Sequence, residues 1–404
     1  MATTSSLYHT QGLAGYRHLA TWYRGGAVYH AVELRGDQRR CRNCGAGPGE
    51  LVLEGRFERT FRALPTGRRK QYIVLRGHEQ WCRRCQQKRR EPIRFANGKA
   101  RHTKAFERFV VELCRIATIK HVALWLGMSW TVVKEIFKDN LRKRLKRRSL
   151  RRVRYIAVDE FEFGVRQRFV TLVLDLETGE VLHVAKGRDS EALAVFLRRL
   201  KRAGAKLQAI AMDMWPAYLL AAREAAPGVP VVHDHYHVVA KANDAIDEAR
   251  RQICRKLKGE QHKIVKGTRF LLLRAGERLD NDQVNRLERL KTLNEPLFVA
   301  YLLKEELRLL WSLPSKKKAK KFLNLWMKRA MASGLRPFIK LTKTLRRHRK
   351  AILAFYNHRI STGPLEGLNN KIKLLKRQAF GFRDFDYFRL RVAFIHEATP
   401  AFPG

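Results

Sequence analysis

Two short apolar runs that each end in aspartate, Ile156-Ala-Val-Asp159 and Ile210-Ala-Met-Asp213, constrain the fold of this chain more than any other stretch. A run that is apolar throughout is buried on both faces, so each reads as an interior strand delivering a carboxylate to the rim of a sheet. Aspartate also ends strands because it favours turns, which leaves a capping role open. Scarcity gives the placement weight: 84 Lys and Arg stand against 37 Asp and Glu, a formal net charge of +47.

The flanking pattern extends both runs into an α/β domain. Strands are expected at 155–159, 168–174 and 181–185, then a helix at 190–203, a strand at 207–212, a helix at 216–226 and a strand at 229–232. Three strands, then helix, strand, helix, strand is the order of a ribonuclease-H-like core. In that arrangement the first and fourth strands are neighbours, so Asp159 and Asp213 are expected to face each other. Helical periodicity then continues, clearest at 238–258, 281–293 and 296–310. That is too long for a loop, so residues 245–357 are read as a helical insertion. The chain returns at the Gly363-Pro364 turn, which opens a helix with Glu366, Asn369, Asn370 and Lys373 on one face. The α/β domain thus comprises residues 151–244 and 358–398.

A charge this high exceeds what solubility requires and points to a polyanionic partner. No apolar run approaches the roughly 20 residues of a membrane-spanning helix, which favours nucleic acid over lipid. The first 25 residues lack the apolar core of a secretory signal, so the cytoplasm is the expected compartment.

Four of the six cysteines form two Cys-x-x-Cys pairs, Cys41 with Cys44 and Cys82 with Cys85. Each pair offers two thiolates from one tight turn, and two such turns joined by strands make the four-sulfur tetrahedron that zinc prefers. Residues 36–95 are therefore read as a zinc ribbon holding one structural zinc, after a weakly patterned arm over 1–35. Unliganded or redox-active thiols are the alternative. Residues 100–150 read as a helix-turn-helix unit: a short apolar helix at 121–126, a turn at Gly127 to Ser129, and a basic helix at 130–146. The second helix can lay Thr131, Lys134 and Lys138 against a major groove, although such hairpins also occur as plain packing units.

Carboxylates converging in a basic protein can hold a pair of magnesium ions for phosphoryl transfer. The islands Ala157-Val-Asp-Glu-Phe161, Met212-Asp-Met-Trp-Pro-Ala-Tyr218, Asp234-His-Tyr-His-Val238, Lys241-Ala-Asn-Asp244 and Gly363-Pro-Leu-Glu-Gly-Leu-Asn-Asn-Lys-Ile-Lys373 closely resemble bacterial insertion-sequence transposases of the ISL-three family. Lys376-Arg377 and Ala379-Phe-Gly-Phe-Arg383 continue the match, which covers nearly the whole chain. The resemblance implies a four-cysteine zinc segment, a helix-turn-helix and a D-D-E catalytic domain. Asp159, Asp213 and Glu366 would be the catalytic acids, binding two magnesium or manganese ions, with Asn369, Asn370, Lys373, Lys376 and Arg377 toward DNA.

Where relatives usually carry Asp-Arg-Phe-His, this chain has Asp234-His235-Tyr236-His237. Asp234 is then either a fourth acid or a contact at the edge of the site. His237 positions phosphate, shuttles a proton or is structural. Trp215 either stacks on an extruded base or covers the sheet. Asn369 and Asn370 either orient Glu366 or touch the DNA backbone.

The expected protein is a cytoplasmic, nucleoid-associated transposase that binds double-stranded terminal inverted repeats, cuts them and joins them to target DNA. Pairing two ends calls for a homodimer or higher assembly. The rival readings are a ribonuclease-H-like nuclease or resolvase without strand transfer, and a non-catalytic DNA-binding regulator.

Overall fold

The computed structural model describes residues 6–163 and 169–396, and the chain divides into two units, one ending at Lys146 and one running from Arg147 to Ile395. In the first unit, helix α1 (Ser6–Gln11) precedes the hairpin β1 (Tyr16–Arg24) and β2 (Ala27–Leu34). A longer hairpin of β3 (Leu51–Thr66) and β4 (Arg69–Cys82) follows, and β5 (Gln87–Arg90) adds to β4. The strand order is β1-β2-β4-β3, with β2 parallel to β4 and the other pairs antiparallel. Alternation sends Val32, Leu34, Phe61, Ala63, Ile73 and Leu75 to one face, where Leu13, Tyr16 and Phe95 complete a core.

The opposite face carries a ladder in which Trp22 stacks on Tyr29 and Tyr29 on Tyr72, with Arg62 over the Tyr72 ring. Each aromatic pair is worth about 0.5–1.5 kcal/mol beyond its burial. The expected arm over 1–35 is corrected here: residues 16–34 are two strands, held by this ladder and by Val32 and Leu34 in the core. Gly77 is needed for a different reason. The Phe57 ring lies across it, and an added Cβ would come within 2.4 Å of that ring.

Helices α2 (Lys104–Ile116), α3 (Ile119–Leu126) and α4 (Trp130–Arg147) follow. The Thr103 and Thr118 side chains cap α2 and α3 by accepting the N–H groups of Phe106 and His121. Gly127, at φ 61°, ends α3 in the left-handed conformation and lets the chain turn into α4. Arg62 binds this turn to the sheet, donating to the Leu126 carbonyl at 3.2 Å and to the Tyr72 hydroxyl at 3.1 Å.

The second unit is built on β6 (Tyr155–Glu162), β7 (Phe169–Asp175), β8 (Val181–Lys186), α5 (Ser190–Arg202), β9 (Ala209–Met212), α6 (Pro216–Ala225) and β10 (Val231–His233). The expected strand start at 168 lies outside the described residues. The sheet runs β10-β9-β6-β7-β8, an antiparallel meander from β6 to β8 with β9 and β10 added in parallel. The first and fourth strands are thus neighbours, as expected from the element order. On one face α5 and α6 pack Leu193, Phe196 and Tyr218 against Ile156 and Val158.

After β10 the chain becomes helical: α7 (His235–Cys254), α8 (Gly259–Lys266), α9 (Arg269–Leu273), α10 (Asn281–Leu293), α11 (Glu295–Arg308), α12 (Lys316–Ala332) and α13 (Arg336–Leu353). These share their own core around Ile246, Leu297, Trp326 and Phe338. The helical segment begins at His235, three residues before the expected helix start at 238. Helices α14 (Gly363–Gln378) and α15 (Phe385–Ala393) return to the second face of the sheet, where Leu365, Leu368, Ile372 and Phe388 meet Ala157, Phe161 and Leu172. Among the described residues no helix is long and apolar enough to cross a membrane.

Candidate functional site

Ala157 on β6 pairs with Ala211 on β9, so Asp159 and Asp213, each two residues further on, stand at matching heights beside each other. The Asp213 Oδ1 accepts the Trp215 N–H at 2.9 Å, which shapes the turn into α6. Burial pushes the Asp159 carboxyl above its usual range, and the Asp213 charge adds to the push. A backbone hydrogen bond at Glu160, the nearby His237 and the Asn369 amide act in the other direction.

That amide comes from α14, whose Asn369 Nδ2 donates to Asp159 Oδ2 at 3.0 Å. The Asn369 Oδ1 is buried without a hydrogen-bond partner among the described residues. Glu366 lies one turn earlier on the same helix and is exposed. Asp159 and Asp213 are therefore brought together, with Asn369 beside them, while exposed Glu366 does not complete a three-acid cluster with them. Among the described residues only the four paired cysteines form a cluster of three or more such groups at metal-ligand spacing.

Asp234 is 2% exposed and closes β10 as the N-cap of α7, its Oδ1 accepting the Tyr236 N–H at 2.7 Å. Its Oδ2 accepts the Thr362 hydroxyl at 2.7 Å and the Thr362 N–H. Thr362 is the residue before α14. Asp234 thus pins the start of the helical segment to the start of the Glu366 helix.

Trp215 donates Nε1–H to the Arg188 carbonyl at 2.9 Å and packs against the sheet's helical face, which is the covering arrangement. On α14, Asn370, Lys373 and Arg377 are exposed, and Lys376 reaches the Glu162 carbonyl at 3.4 Å. On α4, Thr131 is exposed and Lys134 lies over the Trp130 ring. Lys138 is corrected: it is 7% exposed, on the side of α4 that carries buried Val133, Phe137 and Leu141, not on an open groove-facing surface.

Glu160, Arg188 and His233 stand close to the paired aspartates as well. Glu160 Oε1 meets Arg188 at 3.4 Å, and burial, then the Asp213 charge, raise its carboxyl. His233 is fully buried between the Met212 carbonyl and His348, and burial lowers it to about 4. Nothing local separates Arg188 from the other basic residues, or Glu160 from an ordinary strand end.

The cysteine pairs occupy matching turns. Gly45 N–H bonds the Cys41 carbonyl and Gln86 N–H the Cys82 carbonyl, with φ of 76° at Gly45 and 54° at Gln86. Cys41 and Cys85 sulfurs lie 3.6 Å apart, as do those of Cys44 and Cys82. A tetrahedral site with about 2.3 Å metal–sulfur bonds needs sulfurs roughly 3.8 Å apart, so the residues fit such an ion. Burial works to raise the Cys41 thiol, but backbone N–H groups of Cys44 and Asn43 outweigh it and hold it at about 6. Cys44 is pushed up to about 11, its favourable bond at Ala46 outweighed by burial and the neighbouring sulfurs. Full ionisation of this cluster calls for a cation.

Residues 156–392 match the family model described as a transposase, and residues 91–139 match the helix-turn-helix domain of transposase family ISL3. The chain is 31% identical to the transposase for insertion sequence element IS1001 of Bordetella parapertussis over 368 residues, 90% of this chain and 89% of that one. It is 29% identical to the transposase for IS1557 of Mycobacterium tuberculosis over 72% of this chain and 71% of that one. Drosophila P element transposase in its strand transfer complex overlays 73% of this chain and 91% of its own at 11% identity, with a TM-score of only 0.37. On its family match and its IS1001 relative, the chain belongs to the ISL3 family of insertion-sequence transposases.

Proposed function

We propose that the second unit is a ribonuclease-H-like D-D-E catalytic domain that cleaves transposon ends and joins them to target DNA. The observation that carries this reading is the pair Asp159 and Asp213 at matching heights on adjacent parallel strands, with a helix from far along the sequence bonding Asp159. Asp159 and Asp213 are hard oxygen donors, and the unmatched Asn369 Oδ1 beside them fits a site completed by cations. Asp159, Asp213 and Glu366 would hold two magnesium or manganese ions, which supply a polarised phosphate and an activated nucleophile when bound. Asn369 holds the Asp159 carboxylate in orientation. Asp159 is half-buried beside the Asn369 amide, and Asp234 fixes where α14 begins.

The cysteine cluster would hold one structural zinc, and the helix-turn-helix would bind the double-stranded terminal inverted repeats with Thr131 and Lys134 toward the groove. Exposed Asn370, Lys373 and Arg377, with Lys376, would meet the DNA backbone near the acids. The protein would act in the bacterial cytoplasm on nucleoid DNA, as a homodimer or higher assembly that pairs two ends.

The test is strand transfer with labelled end DNA, a target plasmid and Mg²⁺. Cleaved ends and end-to-target junctions are expected, and Asp213→Asn should eliminate both. Cleaved ends without junctions would indicate a nuclease or resolvase, and unchanged joining by Asp213→Asn would remove the catalytic assignment.

A further inference from the structure

Arg188, just after β8, is anchored by two aromatic rings. Its guanidinium carbon lies 3.8 Å from the centre of the Phe169 ring and 4.4 Å from that of Trp215. Its carbonyl accepts the Trp215 Nε1–H, and Trp215 is the residue whose N–H caps Asp213. Its side chain meets Glu160, the neighbour of Asp159. Arg188 is therefore one residue removed from each of the paired aspartates.

Arginine–carboxylate pairs are frequently short and bidentate. Among the described residues Arg188 makes one carboxylate contact, to Glu160 Oε1 at 3.4 Å, at the weak end of the hydrogen-bond range. Its side chain is 36% exposed, and of the five guanidinium donors most have no protein acceptor among the described residues. Stacking on two rings fixes the planar fork and strips part of its hydration, which preorganises it for an oxyanion. Glu160, with Oε2 buried and unpartnered, holds the cation in place without saturating it.

We propose that Arg188 is a phosphate clamp, binding the non-bridging oxygens of a DNA phosphodiester beside the one that is cut. This rests on the proposed cleavage activity. The clamp fixes the strand over Asp159 and Asp213, and the Trp215 indole serves DNA indirectly, by holding the clamp.

The test uses the full chain, Mg²⁺ and a duplex carrying the element's own terminal repeat, in single-turnover cleavage at saturating DNA. Arg188→Ala should cleave about 10²-fold more slowly, the loss expected for one preorganised donor. Its duplex affinity should change by no more than about threefold, since one phosphate contact among many is lost. Arg188→Lys, which keeps charge but cannot stack or fork, should recover only part of the rate, and Arg188→Gln covers a folding failure of the alanine variant. Replacing each phosphate flanking the cut in turn by a neutral methylphosphonate should, at one position, make wild type and Arg188→Ala equally slow. A gap that persists at every position, or a wild-type rate in Arg188→Ala, would overturn the clamp. Wild-type cleavage by Asp213→Asn in the same assay would instead overturn the cleavage reading, and the clamp with it.

Discussion

Asn369 and Asp159, separated by 210 residues, are joined by a 3.0 Å hydrogen bond that anchors the returning helix to the sheet's central strand. The bond orients the carboxylate, and partners that orient a metal-binding group typically contribute 10–100-fold to affinity or activity. Asn369→Ala should therefore slow end cleavage about 10–100-fold and raise the Mg²⁺ concentration for half-maximal rate. Titrating Mg²⁺ in the cleavage assay checks this. An unchanged Mg²⁺ response would mean that the amide only packs.

The Asp159 carboxyl is raised by burial first and by Asp213 second, so its ionised form weakens the metal-free fold. The sign follows from the direction of the shift: this group's favourable contribution is complete below its unfolded value of 3.8 and is lost as pH rises through the higher folded value. Asp159→Asn should accordingly make the metal-free protein more stable at pH 7, by about 2–4 °C for each kcal/mol relieved, while abolishing cleavage. Thermal melts in chelator at pH 7 and below pH 4 should show the gain at the first and not at the second.

Asp234 and Thr362 join the two ends of the helical segment. Asp234→Ala leaves the buried hydroxyl and N–H of Thr362 unmatched and uncaps the Tyr236 N–H, at a cost of about 1–3 kcal/mol or more. Thr362→Val removes only the hydroxyl bond and should cost about 1 kcal/mol. Urea denaturation of both variants measures the difference. Equal stability of Asp234→Ala and wild type would sink the anchoring role.

Much of this was legible in the sequence because local pattern and burial agree there. The runs ending in Asp159 and Asp213 became neighbouring strands, and the four cysteines became one cluster. What was hidden depends on partners remote in sequence. The strands over 16–34 need Tyr72 and Ile73 to give them a sheet, so by themselves they look unpatterned. Lys138 reads as a groove contact on a basic helix, yet lies among the residues of its buried face. Arg188 is one of many basic residues until Phe169 and Trp215 close on it. Asp234 reads either as a further acid or as a contact at the edge of the site, and only the position of Thr362 reveals an anchor.

The matched turns at Cys41 to Cys44 and Cys82 to Cys85 carry a prediction about metal. Purified protein should contain one zinc, and chelation should raise amide hydrogen exchange around residues 41–46 and 82–87, because cysteine clusters of this kind gain their folding energy from the ion. Cys44→Ser should give the same exchange pattern without chelator. Full protection after complete metal removal would argue for packing alone.

Glu91 supplies a pH dependence in the first unit. It is 2% exposed, both carboxyl oxygens lack hydrogen-bond partners, and burial pushes it up to about 7, with Arg39 opposing at 3.6 Å. Its folded value is raised, so the stability linked to it is complete below the unfolded value of 4.5 and disappears as pH rises through about 7. Glu91→Gln keeps the shape and removes the charge. It should stabilise the protein by about 3 kcal/mol at pH 8, given 1.36 kcal/mol per pKa unit over the rise from 4.5 to about 7 that remains after the Arg39 attraction. Below pH 4.5 the two proteins should unfold alike. Urea titrations at the two pH values settle it, and a variant less stable than wild type at pH 8 would show that the Arg39 pairing outweighs the burial of the charge.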